Sequence, residues 1–224
     1  MQSPLITAHT GADSMPDNSL EYVRYALTTD ADTLEIDIRP IDDGTLVISH
    51  DEAGLDAVPL AEVFSLIAAH ASMKVNCDLK IAGLEEQVFR LADTYGLSGR
   101  LIYSGTVDAG LYSRSELLRG NVEVYLNVEE YVPDLYRNYR DIPDVELQVA
   151  ARMAEVCHAN GIRTINIHQW LVTRRLIEVL AKEEIGVSAW TVNEPAELEW
   201  FLRSGVANIT TRSLRQALTM RQSI

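Results

Sequence analysis

The chain is short of cysteine and of positive charge. Cys77 and Cys157 are its two cysteines, far apart and in apolar surroundings. Neither a disulfide framework nor a zinc-ligand spacing is available, and two buried thiols are expected. Lys and Arg number 19 against 33 Asp and Glu, a formal net charge of −14. Phosphate backbones demand net positive surface, so nucleic acid is excluded as a general partner, and a polybasic membrane anchor with it. Long apolar runs are missing too: stretches such as Val63–Ala69 are far too short to span a bilayer. The opening residues carry no basic region and no long apolar core, so no signal peptide and a cytoplasmic location are expected. No linker, low-complexity tract or composition shift divides the sequence. With 47% hydrophobic and 23% charged residues, a single globular domain over residues 1–224 is expected.

What is present is a repeated pair: a short extended run, then a run of helical periodicity. Strands are predicted at Leu5–His9, Asp32–Arg39, Val75–Lys80, Leu101–Ser104, Val122–Val128, Thr164–His168, Val187–Val192 and Asn208–Thr211. Helices are predicted at Ser19–Thr28, Pro59–His70, Leu84–Tyr95, Val107–Leu118, Val145–Ala159, Thr173–Glu183, Pro195–Arg203 and Leu214–Met220. A further extended run, Thr45–His50, follows the turn Asp42-Asp43-Gly44. Repeated βα units make parallel strands, and eight of them in this length predict a compact (β/α)8 TIM barrel. A doubly wound open sheet is the rival, disfavoured because no Gly-rich nucleotide loop follows any strand.

A barrel carries its chemistry at the C-terminal ends of its strands. His9, Glu35, Asp37, Asp78, Lys80, His168 and Trp190–Asn193 fall there, with His50 and Asp51 at the end of the extra run. Glu35 and Asp37 are two apart and share one face of a strand. Two carboxylates on one face suit a hard divalent cation; they equally suit the solvated side of an alternating strand. Asp78 could add a third oxygen ligand, and Lys80 could neutralise an anion. His9 and His50 would make an acid and a base working near neutral pH. His70 and His158 lie late on helices, where surface positions suffice.

Certain of these residues also sit in recognisable motifs. Ala8-His9-Thr10-Gly11, Met15-Pro16-Asp17-Asn18-Ser19, Ala31-Asp32 through Glu35-Ile36-Asp37, Asp43-Gly44 and Val47-Ile48-Ser49-His50-Asp51 occur in that order. Asp78-Leu79-Lys80, Ala189-Trp190-Thr191-Val192-Asn193 and Gly205 through Thr211 follow. Together they resemble the glycerophosphodiester phosphodiesterase family over nearly the whole chain. The resemblance implies a (β/α)8 barrel hydrolysing a small phosphodiester with one bound Mg²⁺ or Ca²⁺. It implies Glu35, Asp37 and Asp78 as metal ligands and His9 and His50 as the acid/base pair. Lys80 would contact phosphate, Asn18 and Asp51 would support the site, and Trp190 would lie near substrate. A homo-oligomer is compatible with all of this.

Three departures from the family pattern stand out. Thr10 occupies the place of an Arg, removing a bidentate phosphate donor. Asp78 replaces Glu, one methylene shorter. Only Glu52–Val58 separates His50-Asp51 from Pro59, where the family inserts a subdomain. A cover must then come from elsewhere, and the loop Asn127–Val145, with Glu129, Tyr131, Tyr136, Arg137, Tyr139 and Arg140, is the candidate; a plain surface loop or dimer contact is its alternative. The rival functions are a non-catalytic barrel binding a phosphorylated ligand or partner, and a phosphodiester lyase releasing a cyclic phosphate. A sugar-phosphate isomerase is disfavoured, because Thr210-Thr211-Arg212-Ser213 is only a weak phosphate loop.

Overall fold

The structure is a computed structural model that describes residues 3–70, 72–132, 135–138 and 144–224, residues 137 and 138 by backbone only. Its strands are β1 Leu5–Ala8, β2 Thr33–Pro40, β3 Leu46–Ile48, β4 Val58–Pro59, β5 Lys74–Leu79, β6 Leu101–Gly105, β7 Val122–Asn127, β8 Thr164–His168, β9 Gly186–Trp190 and β10 Asn208–Thr211. Eight of these run parallel in the order β1-β2-β5-β6-β7-β8-β9-β10, and β10 pairs back onto β1. The sheet is therefore a closed (β/α)8 barrel. Between its strands lie α1 Leu20–Leu27, α2 Leu60–Ala68, α3 Glu85–Asp93, α4 Ala109–Arg114, α5 Leu135–Asn138, α6 Val145–Asn160, α7 Arg174–Lys182 and α8 Pro195–Ser204, with α9 Leu214–Gln222 after β10.

Local chemistry sets these boundaries. Ser19, Asp108 and Thr173 cap α1, α4 and α7 by accepting a backbone N–H three residues on. Gly161 ends α6 in the left-handed conformation. The expected Val107–Leu118 helix shortens to α4, because Asp108 caps its start and Ser115 leaves helical geometry. Pro59, expected to open a helix, instead pairs with Val47 and stands at the N-cap of α2.

β2 outruns the barrel. Its last residues pair antiparallel with β3, Ile38 opposite Ile48 and Pro40 opposite Leu46, and β3 pairs with β4. This three-stranded flap occupies the place where the short Glu52–Val58 connection left no room for a subdomain, and it delivers His50 to the barrel rim.

The core lies between strands and helices. Leu34, Ile36, Ile38, Val75, Cys77, Leu79, Ile165 and Ile167 are fully or almost fully buried there. Alternation turns the other face inward, and that face is largely polar: Thr7, Glu35, Asp37, Asn76, Ser104, Asn127, Asn166, Ser188, Asn208 and Thr210 are all buried. Buried polar groups are mostly hydrogen-bonded, and several of these are. Thr7 Oγ1 donates to Asn208 Oδ1 (2.8 Å), Asn208 Nδ2 to Ser188 Oγ (2.9 Å), and Asn166 Nδ2 to Asn127 Oδ1 (2.9 Å). Cys77 and Cys157 are free and buried, as the sequence suggested. No helix among the described residues is long and apolar enough to cross a membrane.

Candidate active site

The parallel register of β2 and β5 sets Asp37 beside Asp78, while alternation along β2 brings Glu35 onto the same inward face. Ligand oxygens of Glu35, Asp37 and Asp78 lie within 4.8 Å of one another. Lys80 Nζ sits 2.7 Å from Asp37 Oδ1 and 3.2 Å from Asp78 Oδ2. Asn18 clamps Asp37 twice: Nδ2 donates to Asp37 Oδ2 (2.7 Å), and Oδ1 accepts the Asp37 N–H (3.1 Å). It does so from a left-handed backbone, φ 44°, which Asn tolerates better than most residues. The Thr10 N–H donates to Glu35 Oε2 (2.9 Å). Tyr22, buried beneath, donates from Oη to the carbonyl of Ala8 (2.6 Å) and lies 3.1 Å from that of Glu35, tying β1 to β2 under the site. Gly105 is required above Asp78, since a Cβ there would overlap Asp78 Oδ1 and the Leu79 carbonyl.

This cluster fits a hard cation. Asp78 Oδ1 is buried with no hydrogen-bond partner among the described residues, an arrangement that an oxygen-ligated divalent ion satisfies. Burial, then the neighbouring carboxylates, pushes the Glu35 carboxyl well above its usual range. Burial likewise raises Asp78, with Lys80 working against the shift. Burial opposes the Lys80 charge, but Asp78 and Asp37 outweigh it and hold its pKa above the usual lysine value.

Both histidines spend Nδ1 on the protein. His50 Nδ1 meets Asp51 Oδ1 at 2.9 Å; a carboxylate only accepts, so this nitrogen carries the proton. His9 Nδ1 lies 3.0 Å from the Thr10 carbonyl and 3.2 Å from Arg212 Nε. The carbonyl needs a proton on Nδ1 and the guanidinium needs a lone pair there, so the two contacts are alternatives. Burial lowers the His9 pKa, and the Arg212 charge adds to this. In each ring Nε2 has no partner among the described residues.

His9, Asn18, Glu35, Asp37, His50, Asp78, Lys80 and Trp190 line one cavity of ≈ 410 Å³ at the C-terminal end of the barrel. Asp51 does not. Its side chain is 91% exposed, and it reaches the site only through His50, itself 69% exposed. His168 stands outside this lining, packed between Trp170 and Trp190; His70 and His158 are exposed. From the expected covering loop, Glu129 and Glu130 line the cavity and Tyr136 Oη donates to Glu129 Oε2 (3.0 Å). Tyr139, Arg140 and the Arg137 side chain lie outside the described residues. Sequence reasoning missed Asn76, Ser104, Thr106, Asn127, Asn166 and, as a site residue, Arg212. The signal was there: polar residues two apart ending a strand, as in Asn76-Asp78-Lys80, Asn127-Glu129 and Asn208-Thr210-Arg212. A larger cavity, ≈ 710 Å³, opens at the other end of the barrel beside Arg119, Glu123 and Arg163, without a carboxylate cluster or histidine.

A sequence profile of the glycerophosphoryl diester phosphodiesterase family matches residues 9–72, taking in His9, Asn18, Glu35, Asp37 and His50. Over that segment the chain resembles this family. It is 23% identical to the glycerophosphodiester phosphodiesterase of Bacillus altitudinis, over 98% of each protein. It is 24% identical to chicken glycerophosphodiester phosphodiesterase domain-containing protein 5, over 94% of this chain and 42% of that protein's length. Family members share the barrel at low identity. A glycerophosphoryl diester phosphodiesterase structure from Agrobacterium tumefaciens superposes with a TM-score of 0.78 at 16% identity, covering 99% of this chain and 98% of that one. An Oleispira antarctica phosphodiesterase, solved in complex with the product sn-glycerol-3-phosphate, superposes with a TM-score of 0.69 at 17% identity, covering 98% and 97%.

Proposed function

We propose that the chain is a single-domain, cytoplasmic phosphoric diester hydrolase. It would split a small glycerophosphodiester-like substrate into a phosphomonoester and an alcohol, with one Mg²⁺ or Ca²⁺ held by Glu35, Asp37 and Asp78. The observation that carries this reading is the convergence of three carboxylates, two histidines and Lys80 in one cavity at the end of the barrel. When bound, the cation supplies Lewis-acid stabilisation of charge on a phosphoryl oxygen. Asn18 and Lys80 fix the orientation of Asp37 and Asp78. The Nε2 atoms of His9 and His50 are the free positions from which protons are taken from an attacking oxygen and given to a departing one.

A panel of glycerophosphodiesters assayed with Mg²⁺, Ca²⁺ or Mn²⁺ tests the reading. Turnover that a chelator abolishes is expected. ³¹P NMR of the product separates hydrolysis from release of a cyclic phosphate. Tight binding of sn-glycerol-3-phosphate with no turnover under any cation would instead establish a non-catalytic barrel.

A further inference from the structure

The cavity is poorly supplied with charge for holding an anion. Its described lining holds six carboxylates, Asp17, Glu35, Asp37, Asp78, Glu129 and Glu130, against two permanent cations, Lys80 and Arg212. Lys80 is committed between Asp37 and Asp78. Thr10 brings no charge to a ligand: it is 2% exposed, and its hydroxyl accepts the Asn18 N–H at 2.7 Å.

Arg212 is placed differently. β1 and β10 pair with Ala8 opposite Thr211, so the residue that follows β10 stands beside His9. Its backbone is anchored: the Arg212 N–H donates to Asn193 Oδ1 (2.8 Å), and its carbonyl accepts the Asp13 N–H (2.7 Å). Its guanidinium is held only by contacts that can be exchanged. Nη2 pairs with Asp17 Oδ1 at 3.0 Å, with both side chains about half exposed, and Nε touches His9 Nδ1 at 3.2 Å. A half-exposed ion pair contributes little, whereas a phosphate offers the guanidinium fork two charge-assisted hydrogen bonds at once. His9 Nδ1 lies in turn 3.9 Å from Glu35 Oε2, so the guanidinium stands one imidazole away from the carboxylate cluster.

We infer that Arg212 is the phosphate-binding guanidinium of this site, and that it exchanges Asp17 for the phosphate of the substrate. The inference rests on the proposed function and adds a residue from the far end of the chain to it. Asp17 thereby becomes a competitor of the substrate, which gives the test a sign. Full-length wild type, Arg212→Gln, Arg212→Lys and Asp17→Asn are titrated calorimetrically with sn-glycerol-3-phosphate in the presence of Ca²⁺. Diester kinetics are measured alongside.

Arg212→Gln should weaken binding by about 10- to 100-fold and raise KM more than it lowers kcat. Arg212→Lys should recover part of the loss. Asp17→Asn should bind as tightly as wild type or a few-fold more tightly. A merely structural ion pair would make Arg212→Gln and Asp17→Asn fail alike, and that outcome overturns the inference. Arg212→Gln binding within about twofold of wild type overturns it too. If the wild type binds and turns over while Arg212→Gln matches it, this inference alone is lost. If the wild type does neither, the functional reading falls and takes the inference with it.

Discussion

Removing one charge from the carboxylate cluster should stabilise the cation-free protein. The ligand oxygens of Glu35, Asp37 and Asp78 lie within 4.8 Å of one another. Unit charges at that separation repel by ~3.5 kcal/mol per pair at an effective dielectric constant of about 20. Lys80 offsets this for Asp37 and Asp78, which it touches at 2.7 and 3.2 Å. Glu35 accepts the Thr10 N–H at 2.9 Å, with His9 Nδ1 at 3.9 Å and Lys80 acting on it from farther away. It is therefore the least compensated of the three, and burial with its neighbours pushes its pKa well up.

Glu35→Gln keeps an acceptor for Thr10 and deletes the charge. Part of the repulsion is already relieved by protonation and relaxation, so a gain of ~1–3 kcal/mol in chelator is expected, or ~2–10 °C in Tm for a chain of this size. The pH dependence follows from the sign. The folded pKa of Glu35 lies above its unfolded value of 4.5. Its favourable contribution is complete below that value and is lost as pH rises through the folded pKa. His9 acts oppositely. Its folded pKa is depressed below 6.5, so its contribution is complete above 6.5 and is lost as pH falls through the folded value. Both proteins carry His9, so the stability difference between them should widen as pH rises. Saturating cation should reverse the order, since the wild type gains ~2.7 kcal/mol at a hundredfold excess over Kd and the variant gains less. Thermal unfolding by circular dichroism, with chelator and with Ca²⁺ or Mg²⁺, reads all of this. A Glu35→Gln protein less stable than wild type in chelator at about pH 8, or an equal response of both to cation, would refute the reasoning.

His9→Gln and His50→Gln should each lower kcat by about 10²- to 10⁴-fold while binding of sn-glycerol-3-phosphate changes little; loss of binding in place of rate would assign them a different role. Asn18→Ala removes both clamps on Asp37 and should weaken cation binding by about 10- to 100-fold by calorimetry, whereas unchanged affinity would show that Asp37 orients itself. Tyr22→Phe leaves the Ala8 carbonyl without its donor and should cost ~1 kcal/mol in urea unfolding, with a neutral result showing that β1 and β2 need no tie beneath the site.

The barrel was legible because its outward face is regular. Leu34, Ile36 and Ile38, or Ile165 and Ile167, mark strands by alternation, and periodic helices follow the strands, three of them opened by the caps Ser19, Asp108 and Thr173. The same alternation placed Glu35 and Asp37 together, and their partner Asp78 follows once β2 and β5 are neighbours. The family resemblance placed Asp51 in support of the site; the turn after β3 leaves its side chain 91% exposed, touching His50 and not the cavity. The flap was half visible, as an extra extended run. Its pairing was not, since β4 is two residues long and its Pro59 reads locally as a helix start. Arg212 was the hardest residue to place. It meets His9 across 203 positions of sequence, and only closure of β10 onto β1 makes them neighbours. No local pattern encodes that contact.

Charge arithmetic links the acidic composition to the proposed site. Glu35, Asp37 and Asp78 with Lys80 carry a net charge of −2 when all are ionised, which one divalent cation cancels. The cluster then neither attracts nor repels a diester by net charge, while Asp17, Glu129 and Glu130 around the cavity still repel it. The positive charge that favours the substrate over water must come from a group outside the cluster and beside it. Among the described lining residues Arg212 is that group, and it is held by Asp17, a half-exposed carboxylate. An arginine held weakly by a competitor and anchored firmly by its backbone is suited to change partners when phosphate arrives. The net charge of −14 then bears on solubility and the outer surface, and anion affinity depends on a single exchange at the mouth of the barrel.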